Sequence, residues 1–102
     1  MAIAEVTVVP IGTGTPSLSQ YVAGAIKVLE QEKTVKYKLT GMGTILEGNL
    51  TDILATVTKM HESVFSSQIQ RVVTTIRIDD RRDREASVQR KVQSVTQRLG
   101  RS

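Results

Sequence analysis

An α+β sandwich of order β-α-β-β-α-β, followed by one further helix, is what this sequence predicts. Three observations carry the prediction. Short segments rich in β-branched residues alternate apolar and polar side chains, the two-residue period of a half-buried strand. Longer segments repeat apolar residues at three- and four-residue spacing, the mark of a helix with one buried face. Glycine, proline, serine and threonine collect at the junctions between them. The 102 residues are expected to form one domain, residues 1–102, with room for a single core.

Ile3-Ala4-Glu5-Val6-Thr7-Val8-Val9 reads as the first strand. Pro10, with no N–H to give a ladder, is expected to end it. Ser17 suits an N-cap, and Gln20 three residues on completes a capping box. Leu18, Val22, Ala25, Ile26 and Leu29 then recur at helical spacing to about Glu32. Val35, Tyr37 and Leu39 alternate with Lys36, Lys38 and Thr40 in a second strand. Gly41 and Gly43 interrupt it before Thr44-Ile45-Leu46-Glu47 resumes extended structure.

Asn49 or Thr51 can cap the second helix, with Asp52 favourably placed in its first turn. Its expected stripe is Leu50, Ile53, Leu54, Val57, Val64 and Phe65. From Arg71 to Asp79, Val72, Thr74, Ile76 and Ile78 face one way, and Val73, Thr75, Arg77 and Asp79 the other. Val88, Val92, Val95 and Leu99 form a narrow seam on a C-terminal helix, with Arg84, Arg90, Lys91 and Arg98 around it.

This order is the split βαβ, or ferredoxin-like, arrangement, in which both internal helices cover one sheet face. Val6, Val8, Val35, Tyr37, Leu39, Val72, Ile76 and Ile78 are expected beneath them. The other face would carry Glu5, Thr7, Val9, Lys36, Lys38, Thr40, Val73, Thr75 and Arg77. Part apolar and part polar, it suits a wet interface between subunits, although an antiparallel sheet can also face water on one side. The unaccommodated C-terminal helix adds weight to an oligomer.

Composition narrows the chemistry. There is no cysteine, so disulfides and thiolate chemistry are excluded. No apolar run approaches the ~20 residues that span a bilayer, and the N-terminus does not read as a signal peptide. A cytoplasmic location is the expectation. The net charge of +4 is uneven: residues 71–102 hold nine Lys/Arg against four Asp/Glu, and residues 1–70 five against six. The basic residues are interleaved with Asp79, Asp80, Asp83 and Glu85, and no aromatic lies among them to stack a base. A salt-bridged, solvated face is expected there, rather than a nucleic-acid footprint.

Val9-Pro10-Ile11-Gly12-Thr13-Gly14-Thr15-Pro16-Ser17 and Thr40-Gly41-Met42-Gly43-Thr44-Ile45-Leu46-Glu47-Gly48 are the two junctions that could hold a small molecule. The first follows a strand and precedes a helix, a setting for an anion. It lacks the third glycine of a dinucleotide fingerprint and the lysine of a P-loop, so no nucleotide cofactor is expected. It reads either as a turn needing positive φ or as a ligand loop offering the hydroxyls of Thr13, Thr15 and Ser17. Glu47 either assists a helix start or accepts hydrogen bonds from an amine-bearing ligand. His61 shares the buried stripe as a core group or serves a ligand; no partner set makes it a metal site. A single histidine without an orienting acid, and adjacent aspartates at 79 and 80 pointing oppositely, give no catalytic constellation.

Val8 to Thr13, Ser17 to Val22, Gly43 to Gly48, His61-Glu62 and Arg71 to Asp83 together resemble the small thiamine-binding proteins of the YkoF-like group, formerly an uncharacterised protein family. The resemblance spans nearly the whole chain. It implies a ferredoxin-like fold with an added C-terminal helix, and a homotetramer built as a dimer of dimers through the sheets. It also implies non-catalytic binding of thiamine or its hydroxymethylpyrimidine portion. The matching site positions are Thr13, Ser17, Thr44 and Glu47, with His61 and Thr75 as further candidates. Few aromatics are present to wall a ring: Tyr21, Tyr37 and Phe65. Met42, Ile45 and Leu46 are therefore expected to form the apolar walls. The alternative is an interaction protein whose junctions are turns and whose open sheet face only builds an oligomer.

Overall fold

The computed structural model describes residues 1–12, 14, 19–83, 92 and 95. In them the expected order appears: β1 (Ala2–Pro10), α1 (Ser19–Gln31), β2 (Lys36–Thr40), β3 (Gly43–Gly48), α2 (Leu50–Val64) and β4 (Val72–Asp80). The sheet runs β2-β3-β1-β4, and each neighbouring pair is antiparallel. β3 inserts between β1 and β2, and β1 between β3 and β4, so each helix makes a split crossover. This is the ferredoxin-like sandwich. The C-terminal helix expected over residues 88–99 lies outside the described residues apart from Val92 and Val95, both helical and exposed. The Ser17 cap, and the side chains of Leu18 and Val22, also lie outside them.

Strand alternation sorts the side chains. Ala2, Ala4 and Val6 of β1 join Leu46 of β3, Ala25 and Leu29 of α1, and Ile53, Val57 and Met60 of α2 in one core. The small Ala2 and Ala4 on the central strand leave volume for Leu29, Leu46 and Ile53, all nearly or fully buried. On α2 the buried stripe is Ile53, Thr56, Val57, Met60 and Val64. Leu54 and Phe65, expected in that stripe, are exposed instead. Leu54 sits one residue, about 100° of helix, beyond buried Ile53, and Phe65 is the extended C-cap residue just past the end of the helix. Thr56 takes a core place because its hydroxyl donates to the Asp52 carbonyl at 2.8 Å, which meets its hydrogen-bonding need internally.

One further expectation is corrected. Tyr37, Leu39 and Ile78 were expected in the core, yet are 39%, 51% and 43% exposed. They point towards the helix layer but belong to the edge strands β2 and β4, with a neighbouring strand on one side only. Pro10 closes β1 as expected: it is the last residue of the strand, still in register with Val72, and just beyond it the Ile11 N–H donates to the Arg71 carbonyl at 2.9 Å. In an antiparallel ladder successive N–H groups point to opposite neighbours. The Ile11 N–H points to β4, so the missing donor of Pro10 falls on the β3 side. β3 has already left there, its pairing with β1 closing at Val6 and Thr44.

Candidate functional site

Both glycine-bearing junctions meet at one end of the sheet. β1 delivers Pro10, Ile11 and Gly12 to the end at which β3 begins with Gly43 and Thr44. Gly12 and Gly14 have φ of +82° and +73°, with open space where a Cβ would stand. Glycine is required there by backbone conformation, not by crowding. Gly43 is different: a Cβ would lie 2.9 Å from the Val6 carbonyl oxygen and 3.2 Å from Thr7 Cγ2. That close approach brings the β2–β3 hairpin onto β1. Thr40 then locks the turn, its hydroxyl donating to the Gly43 carbonyl at 2.9 Å and accepting from the Met42 N–H at 3.2 Å.

A cleft of about 370 Å³ opens between this hairpin and the helix layer. Val6 and Val8 form its floor, Ala25 and Ile26 of α1 and Met60 and Val64 of α2 one wall, and Leu39 to Thr44 the other. The size falls within the usual range for small-molecule pockets, and the lining is mainly apolar with threonine hydroxyls.

The sequence-derived site residues divide around the sheet. Thr13 and Ser17 lie outside the described residues. Thr44 is buried and lines the cleft. Glu47, three residues along the same strand, projects from the opposite face. There it is half-buried beside a shallow depression of about 160 Å³ with Lys36, Tyr37, Lys38 and Ile45. Thr75 is exposed on that same open face, in register with Thr7. His61 is tied into the fold, its Nδ1 2.7 Å from the Thr74 hydroxyl and its ring edge-on to Phe65 at 5.2 Å.

Of the expected apolar walls, Met42 lines the cleft, Ile45 lies on the other face and Leu46 is fully buried. The walls that sequence reasoning missed are Ile26, Leu39, Met60 and Val64. Helical spacing marks such residues only as core, and nothing in a stripe tells which part of it remains uncovered.

A larger depression of about 660 Å³ lies near the start of α2, lined by Met1, Asn49, Leu50, Thr51, Asp80, Arg81 and Arg82. Its arginines are engaged with carboxylates. Arg81 donates to both oxygens of Asp83, and Arg82 to Asp80, and these hydrogen bonds raise both guanidinium pKa values. Among the described residues no group of three or more His, Asp or Glu could hold a metal ion. No helix among them is long and apolar enough to cross a membrane.

Comparison with known proteins adds to this geometry. Residues 4–96 match the family model described as "Thiamine-binding protein". The UPF0045 protein YqgV of Bacillus subtilis is 49% identical over 102 residues, covering 97% of this chain and 98% of that one. A UPF0045 protein of Methanothermobacter thermautotrophicus is 43% identical over 100 residues, covering 97% and 100%. The crystal structure of hypothetical protein MJ1052 from Methanocaldococcus jannaschii superposes with a TM-score of 0.83 at 36% identity, over 92% of this chain and 94% of that one.

Proposed function

Because this chain belongs to the thiamine-binding protein family, we propose that it binds thiamine or a hydroxymethylpyrimidine relative, without catalysis, in the cleft between the β2–β3 hairpin and the helix layer. That the second glycine junction walls this cleft, at the same end of the sheet to which β1 leads the first, is the observation that carries the reading. In it Thr44 supplies a hydroxyl from one junction, and Thr13 and Ser17 supply theirs from the other. Ile26, Leu39, Met42, Met60 and Val64 take the place of aromatic walls. The His61–Thr74 hydrogen bond holds α2 against β4 and so steadies Met60 and Val64. Glu47 and Thr75 serve the second sheet face, where protomers pair and build a tetramer as a dimer of dimers.

Calorimetric titration and thermal melts of refolded, ligand-free protein against thiamine and hydroxymethylpyrimidine test the reading. Saturable one-per-chain binding is expected. At ligand one hundred times its Kd the fold gains about 2.7 kcal/mol, a readily measured rise in Tm. A flat response to both compounds, with the fold and assembly intact, favours a purely structural role.

A further inference from the structure

The chain has three methionines and no cysteine, so an oxidant meets no thiol before it meets a thioether. The methionines differ in access. Met60, on α2, is 2% exposed, whereas Met42, at the tip of the β2–β3 hairpin, is 82% exposed. Both line the cleft, Met60 from the helix wall and Met42 from the hairpin. Met1, 47% exposed, lies by the depression at the start of α2. The hairpin tip is held in place. The Met42 N–H donates to the Thr40 hydroxyl, that hydroxyl donates to the Gly43 carbonyl, and Gly43 lies against the Val6 backbone. The Met42 thioether therefore stands at the mouth of the cleft and in water at once.

We infer that Met42 is a reversible oxidation switch on the cleft: a peroxide converts its thioether to the sulfoxide, and the sulfoxide weakens binding of a ring ligand. The inference rests on the ligand-site reading of the cleft and adds a control on it. In the step a sulfur lone pair attacks one oxygen of hydrogen peroxide and the O–O bond breaks. That oxygen stays on sulfur as S=O, and the other leaves as water after proton transfer. Sulfur loses two electrons and the peroxide gains them. A methionine sulfoxide reductase, drawing on a thiol, reverses the change.

The reduced thioether is apolar and polarisable, and it makes favourable contact with the edge of an aromatic ring. The sulfoxide is a polar acceptor, and placing it against Ile26, Leu39 and Val64 without a donor is unfavourable. Thr40 has no hydroxyl hydrogen to offer it, since that hydrogen is engaged by the Gly43 carbonyl. The oxidised side chain stays in water and leaves the outer side of the ring uncovered. A bound ring, conversely, covers Met42 and slows its oxidation.

The test treats refolded, ligand-free protein with hydrogen peroxide and follows each methionine by peptide mass spectrometry. Met42 should oxidise at least about tenfold faster than Met60. Protein oxidised at Met42 should bind thiamine and hydroxymethylpyrimidine about two- to tenfold more weakly by calorimetry. Methionine sulfoxide reductase should restore the affinity. Either ligand at saturation should slow oxidation of Met42 and leave that of Met1 unaffected. Met42→Leu keeps an apolar side chain that peroxide does not modify; whatever its own affinity, peroxide should not change it.

Equal affinity before and after oxidation of Met42 overturns the inference, as does a peroxide-induced loss that persists in Met42→Leu. If neither compound binds the untreated protein, the vitamin reading falls, and benzyl alcohol titrated against the Met60 methyl signal tests the switch alone. A response weakened by oxidation then sustains the switch, and an equal response before and after, none included, overturns it.

Discussion

The two faces of the sheet are built from the same four strands and have opposite characters. The helix-covered face, with Ala2, Ala4, Val6, Thr44 and Leu46, is buried and closes onto a mainly apolar cleft. The open face runs in mixed rows across the strands: Lys36, Glu47, Ile3 and Asp79 in one, and Lys38, Ile45, Glu5 and Arg77 in the next. Alternation along each strand alone makes this division, since consecutive side chains point to opposite faces. A motif read as a continuous stretch, such as Thr44 to Glu47, is therefore split between a site and a surface.

The sharpest way to break the comparison is a neighbouring pair on β3. Leu46→Ala should cost about 2–5 kcal/mol, because Leu46 is fully enclosed. Ile45→Ala, on the open face, should cost about 1 kcal/mol or less in a protomer. Its effect should grow with protein concentration where protomers pair through that face. Urea denaturation at two concentrations separates the outcomes, and equal losses at both sites would erase the distinction between the faces.

Gly43→Ala comes next. The Val6 carbonyl 2.9 Å from the new methyl is backbone and must shift, so a loss of about 1–3 kcal/mol is expected, read from the denaturation midpoint. Gly41→Ala meets nothing within 4 Å and should lose less. Thr44→Val tests the cleft itself. Titration should show ligand binding weakened by about 0.5–1.5 kcal/mol, the usual worth of one hydrogen bond, while Glu47→Gln leaves it unchanged. The reverse ranking would move the site to the open face. Smallest of all, Arg77→Ala removes an exposed ion pair to Glu5 at 3.9 Å. Less than about 1 kcal/mol should be lost, and that loss should vanish at high salt.

Much of the fold was legible before any coordinates. Period-two alternation located the strands, helical spacing located α1 and α2, and the order of elements indicated a split βαβ sandwich. Tyr37, Leu39 and Ile78 misled because alternation reports which face a side chain points to. It does not report whether a helix lies over that part of the face. Leu54 and Phe65 misled because apolar character was taken for burial, while Thr56 entered the core through a hydrogen bond to its own helix. Pro10 closes β1 where β3 has already left, so its missing N–H costs no ladder bond.

The candidate site was legible in part. The two glycine junctions were visible in the sequence, but their meeting depends on pairing between strands far apart in the chain. Glu47 looked like a companion of Thr44 because three residues separate them; on a strand, that odd spacing puts them on opposite faces. Leu39, Met60 and Val64 carried no signal beyond apolar character.

By itself, then, the sequence determined the element order and the glycines held at positive φ, because local chemistry is written residue by residue. Tertiary structure decided which junctions share an end of the sheet, which of two neighbouring side chains faces the cleft, and which apolar residues stay uncovered. Those depend on strand order and helix placement, set by packing between residues distant in the chain.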